Sequence, residues 1–162
     1  MITLDDLYEE ANRFLWDNYR MALVVPIEIE EDFVTEEGAY EFTATAPRRI
    51  LIAEFVMTFA DDEVIYDVLR HELVHYALHM RRKPFADGDP YFEAELKKHG
   101  IASTDSTMIG LYHIYECAAC GDEIPHYTKV DVNRSKLVTV CCESKFIDKK
   151  TQAVYTGKER IY

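Results

Sequence analysis

Two histidines four residues apart, with a glutamate between them, are the side chains in this sequence best suited to breaking a bond. They lie in Val68-Leu69-Arg70-His71-Glu72-Leu73-Val74-His75-Tyr76-Ala77-Leu78-His79. On a helix, positions 71 and 75 project from one face, about 6 Å apart along the axis. Two imidazoles so placed can hold one tetrahedral zinc ion, and Glu72 stands where it can take a proton from a water the ion activates. The ordinary alternative is a pair of buried histidines bonded to backbone or carboxylates, so the flanking sequence has to decide.

Those flanks describe a buried helix. Asp61-Asp62-Glu63 reads as an N-cap and an acidic first turn. Val64, Ile65, Val68, Leu69, Leu73, Val74, Tyr76, Ala77, Leu78 and Met80 then make it apolar nearly all round, the mark of a central element rather than a surface one. Two histidines and a glutamate inside such a helix carry a desolvation cost that calls for a partner, and a metal ion supplies one. Arg81-Arg82-Lys83 suits the negative end of the dipole, and Pro84 ends the helix.

The elements that must position this helix are legible around it. Leu4, Leu7, Ala11, Phe14 and Leu15 fall at helical spacing behind Thr3, which predicts an amphipathic helix over 4–19. Ile27 to Glu30, Gly38 to Ala44 and Arg48 to Phe55 read as three strands, and an edge strand beside the helix would clamp an extended peptide. Asp89 as N-cap, Pro90 at the first helical position and Gly100 as C-cap frame a further helix over 91–98.

The 162 residues suffice for one ordinary domain, or a compact domain with an appendage; 48% hydrophobic and 12% aromatic content supports a real core. No apolar run approaches the ~20 residues of a membrane span, and the acidic N-terminus lacks a secretory pattern, so the expected location is cytoplasmic. In that compartment four cysteines confined to 117–142 point to a metal more than to disulfides. The net charge of −12 is uneven: residues 117–162 carry +2 and the rest −14. A slightly basic tail on an acidic body hints at an anionic partner, although nucleic-acid binders usually show a larger basic excess.

Catalytic zinc usually takes a third protein ligand and leaves one position open. His79 lies about 12 Å along the helix from His71, too far to share the ion. The carboxylates that follow the helix, Asp87, Asp89, Glu93 and Glu95, are the candidates.

With these features together, the chain resembles the SprT-like metallopeptidase family, which includes the Spartan proteases. The resemblance covers most of the chain: the first helix, the sheet around Gly38 and Ile50-Leu51-Ile52, His71-Glu72-Leu73-Val74-His75, the segment Asp87 to Phe92 and a cysteine-bearing tail. In that family a histidine after an acidic-Gly pair commonly completes the zinc site. Aligning that pair with Asp87-Gly88 puts Asp89 at its place after a one-residue deletion, with Glu93 as the alternative; Asp89 as a mere N-cap is the other reading. The resemblance further implies proteolysis of DNA-bound protein, with the tail contacting nucleic acid.

The tail itself opens with a knuckle, Cys117-Ala118-Ala119-Cys120-Gly121, and continues to Cys141-Cys142, with Ser144 where a regular ribbon would place its last cysteine. A structural zinc on Cys117, Cys120, Cys141 and Cys142 is the expected occupant, with His126 as a substitute for one of the adjacent pair. Lys129, Arg134 and Lys136, interleaved with Tyr127 and Val130, could track a nucleic-acid strand or simply form a solvated hairpin face. The expected fold is therefore α+β: a small mixed or antiparallel sheet packed on three helices with the His71–His75 helix central, over residues 1–112. A zinc-ribbon-like β-hairpin follows over 113–162. The expected function is a zinc-dependent metalloendopeptidase with one catalytic and one structural zinc, acting on protein or peptide substrates. The alternative is a non-catalytic, zinc-stabilised adaptor binding nucleic acid or protein.

Overall fold

The computed structural model describes residues 1–102 and 108–157 and the backbone of 160–161. It is mixed α and β, and divides into two compact units, Met1–Thr107 and Met108–Tyr162.

The first unit is built on β3 (Pro47–Ala53), which lies between β1 (Ile27–Glu30), parallel to it, and β2 (Gly38–Phe42), antiparallel. A central strand must be apolar on both faces, and Ile50, Leu51, Ile52 and Ala53 are all buried. The hairpin from β2 to β3 closes through Thr43, whose amide donates to the Ala46 carbonyl at 2.8 Å. On the exposed side Arg49 reaches Glu28 on β1 and Glu41 on β2, at 2.7 and 2.8 Å, spanning all three strands. These are surface pairs, so they fix register more than they add stability.

Against this sheet pack α1 (Leu4–Tyr19) and α3 (Asp62–Met80). Thr3 caps α1 in a reciprocal capping box with Asp6, and Leu7, Ala11, Phe14 and Leu15 form its buried stripe. Ile65, Val68, Leu69, Leu73, Val74, Tyr76, Ala77 and Leu78 of α3 are buried, so the nearly all-apolar helix does run through the core. One ionic contact crosses the α1–α3 interface: Glu10, 6% exposed, accepts from Arg70 at 2.6 Å and also pairs with Arg13. The Tyr76 hydroxyl ties α3 to the Ala22 carbonyl at 3.0 Å.

The end of β3 differs from the sequence expectation. The strand expected to run to Phe55 ends at Ala53, and Glu54–Phe59 forms an additional short helix, α2. The apolar run continues through Val56 without a turn residue, so nothing local marks the change of period. The fourth helix, α4 (Pro90–Lys98), starts as its cap sequence predicts, with the Asp89 carboxylate accepting from the Tyr91 amide at 2.8 Å.

The second unit is more than a hairpin. It is a four-stranded antiparallel sheet in the order β5-β4-β6-β7, comprising β4 (Ile109–Cys117), β5 (Glu123–His126), β6 (Phe146–Thr156) and β7 (Arg160–Ile161). Lys129, Arg134 and Lys136 correspondingly lie in the irregular segment between β5 and β6, exposed, and not on a hairpin face. That segment is pinned by the fully buried Tyr115 of β4, whose hydroxyl accepts from the Val130 amide at 2.7 Å. No described helix is long and apolar enough to cross a membrane.

Gly38 marks a close approach of sheet to helix. A Cβ there would lie 3.0 Å from the Leu51 carbonyl oxygen, 3.0 Å from Val68 Cγ1 and 3.2 Å from Glu72 Cγ. The first neighbour is backbone in a paired strand and cannot yield cheaply. Gly38→Ala should therefore destabilise the protein by about 1–3 kcal/mol, read as a lower urea midpoint at unchanged m-value.

Candidate functional site

α3 presents Glu72 and His75 to a cleft of about 550 Å³, whose walls come from β2 and from the 83–89 loop, and carries His71 one turn before His75. The ligand atoms of these three residues lie within 4.8 Å of one another. The imidazole rings are 4.9 Å apart, and Phe92 of α4 supports both: His75 stacks on it at 4.1 Å and His71 meets it edge-on at 5.2 Å. The burial of Phe92 is thus what holds the two rings in register.

A third side chain converges on the pair, and it is Asp87. Its Oδ1 stands 3.1 Å from His71 Nε2 and 3.2 Å from His75 Nε2. Asp89, the residue nominated by alignment, is committed to the N-cap of α4, and the Glu93 carboxylate accepts from the Gly88 amide at 3.0 Å. Glu95 faces Tyr19, Lys98 and His99 instead. The reason is local: a carboxylate at an N-cap position followed by proline is drawn to the first-turn amides, whereas the positive-φ Gly88 lets the chain turn sharply after Asp87. The cap signal at Asp89-Pro90 is the feature of the sequence that argues against Asp89 as a ligand.

The protonation pattern bears on what this cluster could hold. His75 Nδ1 bonds the Phe85 carbonyl, which can only accept, so Nδ1 carries the proton. Burial holds the His75 pKa below its ordinary value, outweighing the Phe85 carbonyl and Asp87. Its Nε2 then offers a bare lone pair to a carboxylate oxygen 3.2 Å away. Two acceptors at that distance repel unless a proton or a cation lies between them. Neighbouring donors around a tetrahedral ion with bonds of ~2.0 Å are about 3.3 Å apart, close to the spacing found here. The donor set therefore fits a divalent metal, with the Phe85 carbonyl fixing the ligand tautomer from behind.

Glu72 faces the same space but is differently placed. It is 7% exposed, and burial, reinforced by the charges of Asp87 and Glu37, pushes its pKa up to about 8, against the opposing pull of the Tyr40 amide. A carboxylate so raised is suited to exchanging a proton near neutral pH. His79, one turn beyond His75, points elsewhere: its Nδ1 and the Tyr40 hydroxyl share a hydrogen bond at 2.7 Å.

In the second unit Cys117, Cys120, Cys141 and Cys142 form a cluster with all four sulfurs within 4.8 Å. Both adjacent cysteines belong to it, while His126 is turned to Thr128. The knuckle closes through the Gly121 amide to the Cys117 carbonyl at 2.9 Å, with Gly121 at φ +79°. Opposite it, Glu143, at φ +52°, donates its amide to the Thr139 carbonyl, which turns the Cys141-Cys142 pair back toward Cys120. The Cys120 and Cys141 sulfurs are 3.6 Å apart. A hydrogen bond with the Thr139 hydroxyl, helped by the Cys120 amide, brings the Cys117 thiol down to about 6. A thiolate among close thiols is an arrangement that a soft metal ion would hold.

An α+β unit with a His/Glu/His group in a cleft, together with a four-cysteine unit, defines a candidate two-site metalloprotein. No family model matches the chain. It is 33% identical over 88 residues to a protein named SprT-like from Staphylococcus saprophyticus, covering 52% of this chain and 57% of that one. A SprT-like protein of Staphylococcus carnosus is 31% identical over the same length and shares. One from Lactiplantibacillus plantarum is 28% identical over 105 residues, 62% of this chain and 69% of its own. These matches, over 52% to 62% of its length, liken the chain to the SprT-like family. It spans a little over half the length of the first two of these relatives.

Two outcomes follow from the site. Asp87→Asn should weaken divalent-metal binding at the first unit by at least about 100-fold. Asp89→Asn should leave that affinity unchanged, since asparagine caps a helix nearly as well; competition titration with a chromophoric chelator distinguishes the two. The second concerns Glu72. The unfolded chain loses this proton near 4.5 and the folded chain keeps it to about 8, so the folded state holds more protons between those values. The stability that Glu72 contributes to the metal-free protein must then fall as pH rises through that window. Glu72→Gln removes this contribution and should gain on the order of 3 kcal/mol at pH 7 in chelator, vanishing towards pH 4.5, read as the difference from wild type by urea unfolding.

Proposed function

We propose that the protein is a zinc-dependent metalloendopeptidase, with His71, His75 and Asp87 as the catalytic zinc ligands and Glu72 as general base. The observation that carries this reading is the convergence of two imidazole nitrogens on one carboxylate oxygen, beside a buried carboxylate with a raised pKa. When bound, zinc would polarise the scissile carbonyl and make an attacking water more acidic. The chain does the rest. β2, at an open edge of its sheet, receives the substrate as an added extended strand. Glu72 takes the proton of the attacking water and returns it to the leaving amine. The 83–89 loop and Phe92 hold the ligands and exclude solvent from their far side.

The four cysteines, in this reading, hold a structural zinc in a ribbon-like second domain. Kinship with the SprT-like family supports DNA-associated protein as the substrate class, with Lys129, Arg134 and Lys136 as contacts to nucleic acid. An adaptor without catalysis is the competing reading, favoured by the independent thiol cluster in the second unit.

The stoichiometry and the chemistry are tested together. The purified chain should bind two zinc ions; His75→Ala and Cys120→Ser should each lose one, by inductively coupled plasma mass spectrometry. Glu72→Gln should retain both and lose at least about 10²-fold in cleavage of an unfolded protein, assayed with and without single-stranded DNA. Wild-type protein that carries both ions and cleaves nothing under either condition would establish the adaptor instead.

A further inference from the structure

The cleft has a second half that the metal chemistry does not use. Beyond Glu72 and His75 it is walled by Tyr40 and Phe42 of β2 and by Pro84 and Phe85 of the following loop. The rings of Phe42 and Phe85 meet edge to face at 5.0 Å, and Tyr40 stacks beside Phe42 at 5.5 Å. Behind them His79 stacks on Phe85 at 4.8 Å and is locked by the Tyr40 hydroxyl at 2.7 Å. Each ring is therefore braced by another, yet Phe42 leaves 48% of its surface exposed. An isolated exposed phenylalanine needs no explanation, but one that completes an aromatic wall inside a concave site does.

We infer that this wall is a specificity pocket selecting a large apolar or aromatic side chain next to the scissile bond of a peptide. The inference rests on the peptidase reading and names its substrate preference. Phe85 fixes the position: its carbonyl holds His75 Nδ1 and its ring lines the same cleft as His75 and Glu72, so the wall adjoins the proposed reacting site. A strand advances only about 3.3 Å per residue, which places a side chain close to the reacting carbonyl within its reach. Lys83 and Asp89 supply the charged rim of the cleft, leaving the aromatic floor for the apolar group.

The test uses octapeptides that differ at one central position: Phe, Leu, Ala, Asp or Lys. Their binding to the full-length, zinc-loaded Glu72→Gln protein is measured by fluorescence polarisation, and wild-type cleavage products are mapped by mass spectrometry. Phe and Leu peptides should bind about tenfold more tightly than Ala or Asp peptides. Phe42→Ala should abolish that discrimination while leaving the Ala peptide's affinity unchanged, and Phe42→Leu should restore part of it. Equal binding across the panel, or discrimination that survives Phe42→Ala, overturns the pocket. If discrimination is present and wild type leaves every bound peptide intact, the pocket stands and the hydrolase reading fails. Cleavage without residue preference upholds the hydrolase reading and overturns the pocket.

Discussion

Lone pairs crowd together at the mouth of the cleft, and the first unit is arranged around holding them there. His75 is neutral because it is buried, its one proton is turned to Phe85, and its free nitrogen faces Asp87. Left alone, such a cluster would relax apart or take up protons. Packing prevents the first: Phe92 clamps both rings, and α3 is buried along its length against α1 and the sheet. A cation shared among the donors would offset the desolvation cost of this arrangement.

Glu72 extends the same logic. A carboxylate sealed between β2 and α3 would normally be a fault in a core. Here Gly38 gives it room, the Tyr40 amide gives it one donor, and Asp87 and Glu37 keep its affinity for a proton high. Sheet and helix therefore meet at a point where side-chain volume is minimal and proton affinity is set by neighbours. The stability of the first unit and its proposed chemistry share that contact, which is why a single methyl group at Gly38 would disturb both.

The two units solve the problem of gathering ligands differently. In the first, α3 supplies two donors by helical period alone and a loop brings the third. In the second, two tight turns, at Gly121 between β4 and β5 and at Glu143 shortly before β6, bring the two cysteine pairs together. Thr139 couples the turn geometry to the sulfur chemistry, since its hydroxyl contacts Cys117 and also accepts from the Ser144 amide at 3.1 Å.

What the sequence determined by itself is whatever repeats with a local period or a local cap. Helix periodicity with the Thr3 cap marked α1, and the Asp61-to-Glu63 turn with its apolar continuation marked α3, so His71 and His75 could be placed on one face without coordinates. The Asp89-Pro90 cap marked α4 equally well. The choice of Asp87 over three nearby carboxylates was not legible, because it depends on how the 81–89 loop folds back over α3 and which oxygen arrives there. Nor was the switch from strand to helix at Glu54, where an apolar run satisfies either period. The aromatic wall joins the strand pair 40 and 42 to residue 79 of a helix and residue 85 of a loop, and no spacing in the chain relates the pair to the other two. Tertiary structure decided these because side chains distant in sequence compete for one enclosed space, and only packing selects which of them fills it.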